Sequence, residues 1–301
     1  MEKLNFYSEK KSELFLKSTF KSICFLGACT AHNLASGIEY FSNYNITTYA
    51  PYQTIFNAPS LLKDLEIVSH SLKHKVIIDS QLKLFTDEIR FWNTSNNVNE
   101  VIEKNKQIDE EVVKNIVNSD LVVVSLGSVE MWKKSNRVLN KLPKDQFYNT
   151  EIVNVYLTAE DLVSIAQDII KCIHSINPSS SIQFSIPYVL LKASEKFSNL
   201  HLATTENYRI MKNAIMELGT EYYFPEYELF KFYIEKNKIN FQQDKRHPSV
   251  ELIADVSKHI VREIDKSLLS KTPSERFSIN KVNTKHKRKD LWKRLLIKMN
   301  C

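Results

Sequence analysis

Ser22-Ile23-Cys24-Phe25-Leu26-Gly27-Ala28-Cys29-Thr30 reads as a short buried strand that ends on a glycine and turns directly into a helix. The apolar run fits a strand and Gly27 supplies the tight turn. Beyond it, Ala31, Leu34, Ala35 and Ile38 recur at helical spacing, with Gly37 interrupting them. The pattern returns downstream. Leu121-Val122-Val123-Val124-Ser125-Leu126 is a second apolar run and stops at Gly127, and Ser181 to Ile186 is a third that stops at Pro187. Ile46 to Ala50 and Glu221 to Phe224 are shorter strand candidates. Helical patterns cover Ser60 to Leu72, Val98 to Val117, Thr158 to about Ile176, Thr204 to Leu218 and Ser249 to Leu268. Thr158-Ala159-Glu160-Asp161 has the character of a capping box. Pro51 to Pro59 reads as a loop, Val76 to Trp92 as a hairpin insertion, and Met131 to Tyr156 as irregular. Strands alternating with helices predict an α/β fold, a three-layer αβα sandwich around a central, mostly parallel sheet. Ligands of such sheets bind beyond the carboxyl ends of the strands, where this chain has Gly27-Ala28-Cys29, Gly127-Ser128 and Ser185.

Composition narrows the function classes. Of 301 residues, 43% are hydrophobic, enough for a core, which excludes a disordered chain. The net charge of +6 is concentrated at one end. From Lys271 onward, ten Lys or Arg stand against two Asp or Glu, a surplus of eight, so the preceding 270 residues carry −2. The body of the chain is therefore not basic, and a nucleic-acid partner is not expected. No stretch approaches the about 20 apolar residues of a membrane span, and the N-terminus lacks the apolar run of a signal peptide. Cys24, Cys29, Cys172 and Cys301 show no paired spacing for zinc or a disulfide framework. Free thiols fit a cytoplasmic setting.

Two readings of Cys29 compete. A Cys beside a buried strand is commonly core packing, as Cys24 is expected to be. A Cys at a helix N-terminus also sits where backbone N–H groups lower a thiol pKa and can hold an oxyanion. Asp244-Lys245-Arg246-His247-Pro248-Ser249 favours the second reading. Asp244 and His247, three apart before the last helix, form a base and its orienting carboxylate, as a nucleophilic thiol requires. An isolated pair of this kind would be a solvated turn. His32, three residues after Cys29, shares its helical face and either lines the site or is solvated. The remaining histidines show no metal-ligand spacing.

A Gly-x-nucleophile after the first strand and an Asp-x-x-His before the last helix resemble the SGNH (GDSL-type) hydrolase arrangement. The closer resemblance is to the GSCFA-motif family, which has Cys at the nucleophile position. Gly27-Ala28-Cys29-Thr30-Ala31 resembles its signature, with Ala28 and Thr30 departing from Ser and Phe. Thr54 to Pro59, Leu126-Gly127-Ser128 with Trp132, and Tyr223 to Glu228 resemble further blocks in the same order, over about Ile23 to Ile260. The resemblance implies an SGNH-hydrolase (flavodoxin-like) type of fold, with Cys29, His247 and Asp244 as the catalytic triad. It implies oxyanion or substrate binding by Asn57, Gly127 and Ser128, although Asn57 also fits an ordinary turn. SGNH enzymes place an Asn two residues after the block's Gly, where this chain has Val129. That departure counts against ordinary esterase activity.

These features lead to a catalytic domain over residues 1–268, with insertions near 76–97 and 131–156, and a basic tail over 269–301. Leu291, Trp292, Leu295 and Met299 give the tail a short amphipathic helix, which packs on protein or lies on an anionic membrane surface. The expected reaction is acyl transfer through a thioester on Cys29, with no required cofactor and with acyl-CoA as a donor, since thiols exchange readily with thioesters. The resemblance implies a small-molecule or carbohydrate substrate, such as a surface-polysaccharide precursor, in the cytoplasm, and the basic tail over 271–301 leaves open a place peripheral to the inner membrane face. The alternatives are an ester or thioester hydrolase and a non-catalytic binding module.

Overall fold

The computed structural model describes residues 20–264 except 44, 52–54, 80–82, 136, 141–150, 192, 238–240, 243 and 245. The basic tail over 271–301 and Thr54 therefore lie outside the described residues. The first half of the chain runs β1 (Ser22–Leu26), α1 (Cys29–Phe41), β2 (Thr47–Tyr49), α2 (Ala58–Val68), β3 (Val76–Ile78), β4 (Phe85–Asp87), β5 (Thr94–Ser95) and α3 (Val98–Val117). It continues through β6 (Leu121–Ser125), β7 (Glu130–Lys134), β8 (Arg137–Leu139), β9 (Ile152–Tyr156), α4 (Ala159–Ile176), β10 (Ser181–Ser185), α5 (Leu200–Leu218), β11 (Tyr223–Phe224), α6 (Glu226–Asn237) and α7 (Val250–Ile264).

Five of these strands pair in parallel in the order β11-β10-β6-β1-β2. Alternation along each strand builds the two layers that cover the sheet. Ile23, Phe25, Leu121 and Val123 pack with buried residues of α1, α6 and α7. Their neighbours Cys24, Leu26, Val122 and Val124 pack on the other face with α2, α3, α4 and α5. The three-layer αβα sandwich expected from the sequence is what forms. From β1 the chain steps outward to β2 and then returns to β6 on the other side. The order reverses there, so the connections leaving β1 and β6 run to helices on opposite faces, α1 and α4, and open the crevice in which such folds bind ligands. Among the described residues, no helix is long and apolar enough to cross a membrane.

The segment from 76 to 95 forms the expected hairpin, extended by β5 into an antiparallel sheet. The stretch Met131 to Tyr156 is not irregular as expected, because β7 pairs antiparallel with both β8 and β9. Its strands are mostly half-exposed and polar, as in Glu130-Met131-Trp132-Lys133-Lys134, so they lack an apolar run. Helix α6 was also hidden: its Leu229, Phe230 and Tyr233 are buried, but its aromatic residues blur the helical period.

Two contacts hold this frame together. Gly37 on α1 meets Ser257 on α7 so closely that a Cβ would lie 2.1 Å from Ser257 Oγ and 2.8 Å from its Cβ. Under the other layer, fully buried Arg90 donates from Nε to Asp64 Oδ1 at 2.8 Å and from Nη1 to the Asn105 carbonyl at 3.0 Å. It also pairs with Asp109 at 2.6 Å. His74 bridges Asp87 at 3.0 Å and Asp109 at 2.9 Å, tying the hairpin to α3. Burial opposes the charge on His74, but the hydrogen bonds to Asp109 and Asp87 outweigh it and raise its pKa to about 9.

Gly37→Ala should therefore destabilise the fold by about 1–3 kcal/mol through overpacking, with partial recovery on adding Ser257→Gly, as read from urea denaturation. His74 gains its proton affinity on folding, from an ordinary 6.5 to about 9. Its contribution is complete below about 6.5 and is lost as pH rises through about 9. Denaturation midpoints should fall across that window, and His74→Gln should flatten the fall.

Candidate functional site

The turn after β1 leaves no room for a side chain at its first residue. Gly27 has φ +105°, and a Cβ there would lie 2.2 Å from the Ser125 carbonyl oxygen. Gly127, after β6, has φ +76°, and its Cβ would lie 2.3 Å from the Phe56 carbonyl oxygen. Only glycine meets both demands. Hydrogen bonds lace the neighbouring loops together: Ile55 N–H donates to the Gly27 carbonyl at 3.0 Å, and Ser128 N–H to the Phe56 carbonyl at 2.8 Å. Cys29 then opens α1, with Ala28 as an N-cap that offers no side-chain partner. The first N–H groups of a helix have no partner within it, and those of Cys29 and Thr30 favour the Cys29 thiolate.

Other forces act on this half-buried thiol. Burial pushes its pKa up to about 11, and the charge of Glu226 adds to the rise. Arg246 and the two N–H groups pull the other way without overcoming it. The resting thiol is therefore protonated. Cys24, by contrast, is fully buried in the core between the sheet and its helices.

Asp244 and His247 meet as the sequence spacing expects them to. The carboxylate of Asp244 contacts His247 Nδ1, while its Oδ1 accepts N–H groups from Arg246 at 3.0 Å and from His247 at 3.1 Å. Burial raises the Asp244 pKa, but these N–H groups and His247 outweigh it and bring the value to about 2. A carboxylate fixed on Nδ1 orients the ring and leaves Nε2 for another partner. The loop is pinned to the chain beyond β10, where Arg246 Nε donates to the Leu190 carbonyl at 2.8 Å. Gln242 N–H closes it with a 2.9 Å bond to the His247 carbonyl. Among the described residues no hydrogen bond joins Cys29 to His247; the charge from this loop that acts on the thiol is that of Arg246.

Glu226 is a functional candidate that sequence reasoning missed. Glu228, at the end of the Tyr223 to Glu228 stretch, is occupied by its neighbours: it accepts from Tyr208 Oη at 2.9 Å and Lys212 Nζ at 2.8 Å, and contacts Tyr223 Oη. Glu226 is buried instead, at the start of α6, where its Oε2 accepts from Ser185 Oγ at 2.7 Å. Burial raises its pKa to about 7, against the pull of the Thr30 and Ser185 hydroxyls and the Tyr188 N–H. Thr30 lies close enough to favour the carboxylate, though neither its Oγ1 nor Glu226 Oε1 makes a well-formed hydrogen bond.

The remaining expected residues are placed as follows. Asn57 caps α2, its Oδ1 accepting from Ser60 N–H at 2.9 Å and its Nδ2 donating to the Leu139 carbonyl at 3.2 Å. Ser128 Oγ accepts from Glu130 N–H at 3.1 Å. Val129 is a core residue whose N–H is taken by Asn207 Oδ1 at 2.7 Å. His32 is half-buried on α1. A separate cleft lined by Phe20, Asn118, Asp120 and Asn177 opens at the opposite, N-terminal edge of the sheet, and none of the expected site residues lines it.

Fold and site together define an α/β protein with a cysteine at a helix N-terminus, on the crevice between two parallel strands, and an Asp–His pair on the loop before its last helix. The chain belongs to the GSCFA family, whose model matches residues 22–260. No curated protein matches it. One solved crystal structure is 12% identical, with 83% of this chain and 97% of its own covered and a TM-score of 0.40.

Because Arg246 favours the thiolate, Arg246→Ala should slow alkylation of Cys29 by iodoacetamide several-fold at fixed pH, whereas Arg246→Lys should keep most of the rate. Peptide mass mapping reads the modification at Cys29 separately from the other thiols.

Proposed function

We propose that the protein transfers acyl groups through a thioester on Cys29. The observation that carries this reading is a half-buried thiol at the crevice of the sheet, with the N–H groups of Cys29 and Thr30 favouring its anion. The oriented Asp244–His247 pair adds a base whose Nδ1 side is already committed. In the proposed step, His247 moves to accept the thiol proton at Nε2. The Cys29 sulfur then bonds to the acyl carbon, and the donor's thiol leaves with the proton. An acceptor hydroxyl next gives its proton to His247 and attacks the thioester, which returns Cys29 to its resting state. The N–H groups at the start of α1 would hold the oxyanion in both halves, because Val129 has no donor side chain and the Ser128 N–H is engaged by Phe56.

The proposed donor is an acyl-CoA and the proposed acceptor a carbohydrate, such as a surface-polysaccharide precursor, with the reaction in the cytoplasm or at the inner membrane face.

Incubation with acyl-CoA should add one acyl mass to the intact protein, and Cys29→Ala should abolish the adduct. An adduct of the same size on Cys29→Ala would remove the nucleophile from the mechanism. His247→Ala should slow acylation by roughly a thousandfold or more if it is the base, and an unchanged rate would exclude it. Product analysis with and without a sugar acceptor separates transferase from hydrolase.

A further inference from the structure

The chemistry proposed above leaves Glu226 without a role, although the fold brings it to the turn that presents Cys29: Ser185, which donates to Glu226, pairs with Ser125, and a Cβ on Gly27 would lie 2.2 Å from the Ser125 carbonyl oxygen. Its neighbours come from several elements. β10 contributes the Ser185 hydroxyl at 2.7 Å, and the segment after β10 contributes the Tyr188 N–H. α1 contributes the Thr30 hydroxyl and the Cys29 thiol, on which the Glu226 charge acts. β11 contributes Tyr223, whose phenol is raised by burial first and also by the charges of Glu228 and Glu226. On α6 itself, Glu228 is engaged by Tyr208, Tyr223 and Lys212. The loop before α7 contributes the Arg246 charge, which acts on Cys29. Among the described residues no Lys or Arg pairs with Glu226, and the buried Glu226 Oε1, Thr30 Oγ1 and Ser125 Oγ make no well-formed hydrogen bond.

A carboxylate buried without a cation is unfavourable, and a second anion beside it more so. Two anions in one desolvated space titrate as a pair, not as independent groups. We propose that Glu226 and Cys29 form one proton-coupled pair, in which an ionised Glu226 opposes the Cys29 thiolate and a protonated Glu226 makes it easier to form. This rests on the reading of Cys29 as the nucleophile. No bond changes at Glu226 during the step: the thiol proton goes to His247, the sulfur keeps the electron pair, and Glu226 remains a neutral acid. Glu226 is thus a positioning residue that acts through the thiol. With its own pKa raised to about 7, it ionises before the thiol does and then holds the thiol proton in place. Cys29 reactivity should therefore climb with pH more slowly than that of an uncoupled thiol.

The test is the pH profile of Cys29 alkylation by iodoacetamide in the full chain, resolved by peptide mass mapping. Glu226→Gln keeps the size of the side chain and an acceptor for Ser185 while removing the charge. At about pH 8, where the carboxyl is ionised and the thiol is not, Glu226→Gln should react several-fold to tenfold faster than wild type, since a one-unit fall in thiol pKa is tenfold in thiolate. Ser185→Ala removes a donor that favours the carboxylate and should accelerate alkylation in the same direction by less. A folded Glu226→Gln whose profile superimposes on wild type, or is slower, overturns the proposal. If Glu226→Gln does not fold, an unchanged profile in Ser185→Ala overturns it. Alkylation needs no acyl donor, so the two readings fail separately. A shifted profile without any acyl-enzyme sinks the proposed function and keeps the pair, and an acyl-enzyme with an unshifted profile does the reverse.

Discussion

Between β1 and β6 the backbone of Gly27 passes so near the Ser125 carbonyl that a Cβ would sit 2.2 Å from its oxygen. That close approach lets β1 turn at once into α1 and brings the helix N-terminus to the crevice where the strand order reverses. Gly127 makes the equivalent approach to Phe56 on the other side of the crevice. Everything proposed for Cys29 depends on this geometry. Displacing the turn by one side chain would move Cys29 and the N–H groups at the start of α1 together out of their place at the crevice.

The site built on that turn is electrically balanced against its own thiolate. Helix N–H groups and Arg246 favour the thiolate, while burial and Glu226 oppose it, and the opposition wins at rest. Reactive cysteines are usually found in electropositive surroundings that depress the thiol pKa. Here the thiol is held protonated by burial and by the charge of a buried acid, while Arg246, on the loop that carries the oriented imidazole, pulls the other way. Under the proposed chemistry, such a site would gain its nucleophile only when a proton is removed from the thiol.

Much of this was legible in the sequence, for local reasons. The β1–α1 turn showed because a strand, a glycine and a helical period follow one another without a gap. Asp244 and His247 showed because both partners lie in one turn. What stayed hidden was set by tertiary contacts or by weak periodicity. The sequence does not show that Arg246 reaches Leu190, or that Glu226 is buried against Ser185 while Glu228, two residues on, is taken up by Tyr208, Tyr223 and Lys212. The strands β7 to β9 escaped notice because they pair outside the main sheet and remain half-exposed. Asn57 fitted a turn and a ligand-binding role equally from sequence; the structure shows its carboxamide capping α2 and reaching Leu139. Val129 read as a missing donor, and its burial in the core shows that the position belongs to packing in this chain.

The most direct measurement is a titration of thiolate absorbance in the ultraviolet, taken as the difference between wild type and Cys29→Ser. The expected difference is one thiol ionising near pH 11. An ionisation at or below the ordinary thiol value of about 8.5 would mean that Cys29 is free of the burial and the carboxyl described here, and would contradict the electrostatic account of the site.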